Sequence, residues 1–176
     1  MPRRGVAILA AIVLVTGCGR GIVGTPVAGL PAEPWDPCSI PTPAIAATGL
    51  DSDLVQSGWV DGVVVDDWLL CVWQGPANNP SYFFRVLFST KYSLNDVRTN
   101  PAYEDFDEIV VGEHNWLKYR SNALPASERC DIAFETTSGV VTTAVEVKGS
   151  HTAIDDPCNL VVRHTGDLAQ YFPPQP

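Results

Sequence analysis

The stretch Cys130-Asp131-Ile132-Ala133-Phe134-Glu135-Thr136-Thr137-Ser138-Gly139-Val140-Val141-Thr142-Thr143-Ala144-Val145-Glu146-Val147-Lys148 decides the architecture of this chain. Cys130, Ile132 and Phe134 alternate with Asp131, Ala133 and Glu135, the two-residue period of a strand with one buried face. Ser138-Gly139 supplies a turn, and Val140 to Lys148 is a second β-rich run, so the whole reads as an antiparallel hairpin. Working back, Tyr82, Phe84, Val86 and Phe88 line one face of a run from Tyr82 to Ser89, with Arg85 and Ser89 on the other. A β-rich run from Trp68 to Gln74 precedes it across the turn residues Gly75, Pro76, Asn78, Asn79 and Pro80. Ile109 to Val111 and Asn115 to Arg120 form a further hairpin around Gly112-Glu113.

Helical signals flank these strands. Thr42-Pro43 open a short helix over Ala44 to Thr48 that Gly49 stops, and Leu94 to Arg98 form a helical turn ended before Pro101. From Pro157, residues Cys158, Val161, Val162, Thr165, Leu168, Ala169 and Phe172 recur at helical spacing, and Pro173-Pro174 end the run. Strands in runs, rather than alternating singly with helices, predict an antiparallel sheet covered on one face by helices, an α+β domain over residues 38–172 with a short tail at 173–176.

The N-terminus has a different character. Arg3 and Arg4 precede an apolar run from Gly5 to Val15, too short for the ~20 residues of a membrane span but suited to a secretory signal. Val15-Thr16-Gly17-Cys18 has the form of a bacterial lipobox, which predicts cleavage after residue 17 and acylation of the Cys18 thiol. At ~0.8 kcal/mol per buried methylene, two or three acyl chains anchor a protein without a spanning helix. Gly19 to Pro37 is rich in Gly and Pro, without apolar periodicity, and reads with Cys18 as a tether over 18–37. Extended at ~3.1 Å per residue it reaches on the order of 55–60 Å.

Setting Cys18 aside leaves Cys38, Cys71, Cys130 and Cys158, an even number in an oxidising compartment. Three pairings are open. Asp-Pro-Cys occurs twice, at Asp36-Pro37-Cys38 and Asp156-Pro157-Cys158, as a helix or turn start, whereas Cys71 and Cys130 lie in strand-like runs. One helix-start cysteine per strand cysteine favours Cys38–Cys71 and Cys130–Cys158, each closing a loop worth roughly 3–4 kcal/mol by chain-entropy estimates. The cysteines lack the C-x-x-C spacing of a zinc site.

The chain's 20 acidic and 11 basic residues give a net charge of −9, and loss of Arg3 and Arg4 with the signal makes it −11. That balance excludes nucleic acid and anionic headgroups as electrostatic partners. His114, His151 and His164 fall in no metal-ligand spacing, and His151 and His164 are expected on the solvated surface. No nucleophile elbow or phosphate loop is present, so no catalytic residue, metal or cofactor is expected. Glu104, Asp105, Asp107 and Glu108 read as a solvated acidic loop. Among the five tryptophans, Trp73 is expected to pack a disulfide, and Trp59 and Trp116 are the candidates for an exposed binding surface.

The lipobox, the Pro-rich tail with Ile22-Val23-Gly24-Thr25-Pro26-Val27, Asp-Pro-Cys opening a short helix, Cys71-Val72-Trp73 and the closing Asp156-Pro157-Cys158 helix together carry a resemblance. Over residues 18–172 the chain resembles the actinobacterial lipoproteins of the domain-of-unknown-function family 3558, which include mycobacterial Lpr-type lipoproteins. The resemblance implies acylation at Cys18 and a framework of Cys38, Cys71, Cys130 and Cys158, and brings no established chemistry. Gly166 departs from expectation by interrupting the last helix. The expected function is that of a lipid-anchored, non-enzymatic binding or accessory module of the cell envelope, with an envelope protein or small ligand as partner. An envelope hydrolase or a small-molecule or lipid carrier is the alternative.

Overall fold

Alternation of apolar side chains becomes register in a computed structural model that describes residues 33–59, 63, 65–149, 151 and 154–176. The expected signal segment, Cys18 and the tether as far as residue 32 lie outside the described residues. The strands are β1 (Asp51–Ser57), β2 (Leu69–Gln74), β3 (Tyr82–Ser89), β4 (Tyr103–Val111), β5 (His114–Ser121), β6 (Arg129–Thr136) and β7 (Gly139–Val147). They form one antiparallel sheet in the order β1-β2-β3-β7-β6-β5-β4. The quoted hairpin is β6–β7, and β7 pairs in turn with β3 along eight residues, from Tyr82 opposite Val147 to Ser89 opposite Val140. Gly139 makes that approach feasible: its φ of +151° favours glycine, and a Cβ there would collide with the Ser89 carbonyl.

The helices are α1 (Thr42–Ala47), α2 (Leu94–Thr99) and α3 (Pro157–Leu168). The doubled Asp-Pro-Cys builds the same cap twice. Asp36 Oδ1 accepts from the Cys38 N–H at 2.8 Å in a 3₁₀ turn, and Asp156 Oδ1 accepts from the Cys158 N–H at 2.7 Å at the start of α3. Proline at the first helical position lacks the N–H that would go unpaired there. From these starts the cysteines reach the sheet, Cys38 bonding Cys71 on β2 and Cys158 bonding Cys130 on β6. This is the pairing that the sequence context favours.

One face of the sheet carries the main core. Trp73, Phe84, Phe88, Ile132, Phe134 and Val145 pack with Ile45 of α1 and Leu160, Val161 and Leu168 of α3. The α+β class read from the order of elements is therefore the observed one. The opposite face holds a smaller cluster of Leu117, Tyr119, Ala133 and Val140 against Val97 of α2. Thus α2 lies on the face that α1 and α3 do not cover. Its first turn is closed by a capping box, Ser93 with Asp96, and its Leu94 N–H donates to Glu135 of β6 at 2.9 Å.

Several expectations are corrected. The acidic residues Glu104, Asp105, Asp107 and Glu108 are exposed as expected, but they belong to β4 rather than a loop. Strand pairing uses the backbone, and an edge strand with its side chains in water tolerates charge. A register shift between Glu104 and Asp107 contains Asp105 at φ 54°. Strand β1 carries no sequence signal. Helix α3 runs through Gly166, where a Cβ would meet Val111 only at ordinary van der Waals distance. Packing also extends past both expected domain limits, because Trp35 meets Phe88 and Phe172 edge-on and the Pro174 carbonyl accepts from the Thr137 N–H at 2.8 Å.

His164 is the clearest correction: it is buried, 1% exposed, rather than on the solvated surface. The buried stripe of α3 runs Leu160, Val161, His164, Thr165 and Leu168, and places the imidazole against Phe84 and within 2.9 Å of the Tyr82 hydroxyl. Burial disfavours the charged ring and the Arg163 charge adds to this, lowering its pKa from 6.5 to about 4. The unfolded chain therefore binds the extra proton first as pH falls. The stability held by the neutral ring is complete above pH 6.5 and declines toward pH 4, by at most about 3 kcal/mol. Urea unfolding of His164→Gln should show a shallower loss of stability between pH 7 and pH 4.5 than the wild type, and parallel pH curves would contradict this.

Candidate functional site

Where α2 stops covering the second sheet face, side chains of alternate residues form the floor of a groove. Leu70 of β2, Arg85 and Leu87 of β3, Thr142 of β7, Asp131 of β6 and Tyr119 of β5 all point to this side. The walls are Trp59 and Trp68, from the segment between β1 and β2, and Tyr92, Val97 and Tyr103 around α2. The enclosed volume is about 420 Å³, within the ~300–1,000 Å³ of small-molecule sites. A smaller cavity of about 190 Å³ adjoins it, sharing Trp59, Leu70 and Arg85 and adding Val72, Phe83 and Gln56.

The aromatic wall is held by defined contacts. Trp59 Nε1 donates to the Trp68 carbonyl at 3.1 Å, and the Trp68 and Tyr92 rings stack at 5.4 Å with 14° between their planes. Lys91 pairs with Asp67 at 2.7 Å, tying the segment before β2 to the residues before α2. Opposite, Tyr103 and Tyr119 lie 4.8 Å apart. Burial pushes both phenols up, Tyr119 well above its ordinary value, so their hydroxyls stay protonated.

Four charges on the floor strands run in alternating sign; Arg85, Arg129 and Asp131 among them line the groove, and Asp96 of α2 adds a further charge to its lining. Arg85 Nη2 donates to Glu146 Oε1 at 2.9 Å, and Arg129 Nη1 donates to Glu146 Oε2 at 3.3 Å. Arg129 also grips both oxygens of Asp131, through Nε at 3.0–3.1 Å and Nη2 at 2.7 Å. Register explains the chain of contacts, since Arg129 lies directly opposite Glu146 and both Asp131 and Arg85 lie opposite Ala144. The Asp131 side chain is only 2% exposed. Burial pushes its carboxyl up and the Arg129 contacts draw it back; burial also works against the Arg129 charge, but Asp131 outweighs it and Arg129 is held above its ordinary value. A buried pair of this kind is costly to desolvate, and its worth lies in keeping both members together.

Chemically, the groove offers hydrogen-bond donors and acceptors side by side with aromatic surface. Its described lining includes no serine, cysteine, lysine or histidine. Among the described residues no three of His, Cys, Asp and Glu come together in a way that could hold a metal ion.

Of the two tryptophans proposed for binding, Trp59 lines the groove. Trp116 does not: it is fully buried on the other face, between His114 and Phe134. The polar neighbours that suggest a surface position, Asn115 and Lys118, flank a residue whose own alternation turns it into the main core. Cys18 lies outside the described residues. Sequence reasoning missed Arg85, Arg129, Asp131, Glu146, Trp68 and Tyr92. One signal was available, since Arg85, Asp131 and Glu146 each occupy the non-core phase of an alternating strand.

In comparison with known proteins, the family model described as "Protein of unknown function (DUF3558)" fits residues 13–171. No curated protein and no solved structure matches the chain.

The ion pair yields a stability prediction. Arg129→Met should destabilise the domain by about 3–5 kcal/mol, because Asp131 would stay buried without its partner. Adding Asp131→Leu should recover a substantial part of that loss in urea unfolding. A double variant no more stable than Arg129→Met would refute the assignment of the cost to Asp131.

Proposed function

The chain belongs to the DUF3558 family, and on that premise we propose that it is an exported lipoprotein, anchored at Cys18 and carrying a non-enzymatic binding module. The anchor reading is supported by Val15-Thr16-Gly17-Cys18 behind a short apolar run, and by the odd cysteine that two disulfides leave over. No described helix is long and apolar enough to cross a membrane. A location on the outer face of the cell membrane is supported by the lipobox and by the sequence's resemblance to actinobacterial, Lpr-type lipoproteins. Its net negative charge supports attachment through lipid rather than through a basic surface.

The observation that carries the binding reading is the aromatic-walled groove with four charged side chains, Arg85, Asp96, Arg129 and Asp131, in its lining. Such a site suits a small ligand better than a chemical step. A buried carboxyl with a raised pKa is a feature enzymes also use, but Asp131 has both oxygens on Arg129, and the described lining offers no nucleophile–base pair.

Two measurements test this reading. Wild-type protein should partition into the detergent phase and Cys18→Ala into the aqueous phase; equal partitioning would remove the anchor. The uncharged dye 1-anilinonaphthalene should bind the wild type near Trp59 and Trp68 and change their emission. Leu87→Glu, on the groove floor, should abolish that response, and an undiminished response would remove the groove as the binding site.

A further inference from the structure

We propose that the groove takes the ring of a neutral sugar. This rests on reading the groove as a ligand site and adds the chemistry of the ligand. The first argument is charge. The charged side chains that line the groove are Arg85 and Arg129 against Asp96 and Asp131, so the lining has no net charge to offer an ion. An anion placed on the arginines would also face two carboxylates, and a cation placed on the carboxylates would face two guanidiniums. A wholly apolar ligand would strip water from Arg85, Arg129 and Asp96, which keep part of their exposure, without replacing its hydrogen bonds.

A hydroxyl is the group that answers such a surface, because it donates and accepts at one atom. The floor has capacity for it. A guanidinium carries five N–H donors; among the described residues Arg85 uses only Nη2, on Glu146, and its side chain remains 32% exposed. Asp96 of α2 adds a carboxylate to the same lining, its Oδ2 taken by Ser93, so the hydroxyls of one ring meet both donors and acceptors in the groove.

The second argument is the wall. A sugar ring has polar edges and apolar C–H faces, and aromatic surface meets those faces without demanding a charge. Trp59, Trp68 and Tyr92 supply such surface, and their mutual hydrogen bond and stacking fix it before a ligand arrives. The adjoining cavity over Val72 and Phe83 continues this apolar side beyond Arg85 and leaves room for a substituent on the ring.

The test uses the mature acylated protein in a sugar-free detergent, titrated calorimetrically with glucose, galactose, arabinose, maltose and cellobiose. Glucuronate and glucosamine serve as charged relatives, and the anilinonaphthalene dye as a probe of the groove without sugar chemistry. At least one neutral saccharide should bind saturably, at least tenfold tighter than the charged relatives. Arg85→Met should weaken that binding at least tenfold. Trp59→Leu, at the half-buried rim, should weaken it too, and provides the same test should Arg85→Met fail to fold. Binding of the dye but of no neutral saccharide overturns the sugar assignment while the binding module stands. Absence of both responses overturns the module as well. Tighter binding of a charged relative, or saccharide binding unchanged in the folded variants, also overturns the proposal.

Discussion

The pairing of β3 with β7 is the constraint on which the rest of the structure depends. Among the described residues it is the one strand contact that joins the first half of the sheet, β1-β2-β3, to the second, β7-β6-β5-β4. Neither disulfide crosses it: Cys38–Cys71 lies in the first half and Cys130–Cys158 in the second. The seam is therefore held by backbone hydrogen bonds and by side chains that reach across it. On the helix side, Tyr82 meets His164, and Trp35 meets Phe172. On the groove side, Arg85 of β3 meets Glu146 of β7. Gly139 belongs to the same constraint, since only a residue without a Cβ lets the β7 start lie against the Ser89 carbonyl.

The two faces of the sheet solve different problems. The face under α1 and α3 is apolar almost throughout, and the polar atoms there are few and local, such as the Thr143 and Thr165 hydroxyls at 2.7 Å from each other. The other face has only the short α2 to cover it, so it cannot dry completely. Its floor combines Leu70, Leu87 and Thr142 with charged pairs that keep part of their solvation. A fold that spends its helices on one side leaves the other available for a ligand, and the groove straddles the seam where the two half-sheets meet.

Much of the architecture was legible in the residues. The strict alternation of Tyr82, Phe84, Val86 and Phe88 announces β3, the Ser138-Gly139 turn announces β6–β7, and the repeated Asp-Pro-Cys announces two equivalent helix starts. What escaped has physical reasons. Strand β1 and the acidic half of β4 lie at the two edges, where pairing to a single neighbour suffices and no apolar period is imposed. His164 escaped because a polar residue in a helical stripe looks solvated until its hydroxyl partner, 82 residues away at Tyr82, is in view. The groove escaped for the same kind of reason. Arg85, Glu146 and Arg129 stand on three strands whose adjacency, β3-β7-β6, is not the order of the sequence. Polar residues in the outward phase of a strand read as solvent-facing unless the strand order is known.

The position of the Cys38–Cys71 bond has a mechanical consequence. Tension applied to the chain ahead of Trp35 does not pass along residues 39–70, because the covalent bridge carries it from Cys38 straight into β2 at Cys71. Helix α1, strand β1 and the segment bearing Trp59 and Trp68 form a slack loop with respect to that load. A pull on the N-terminal side is delivered to the interior of the sheet, one strand from the β3–β7 seam, while the aromatic wall of the groove stays off the line of force.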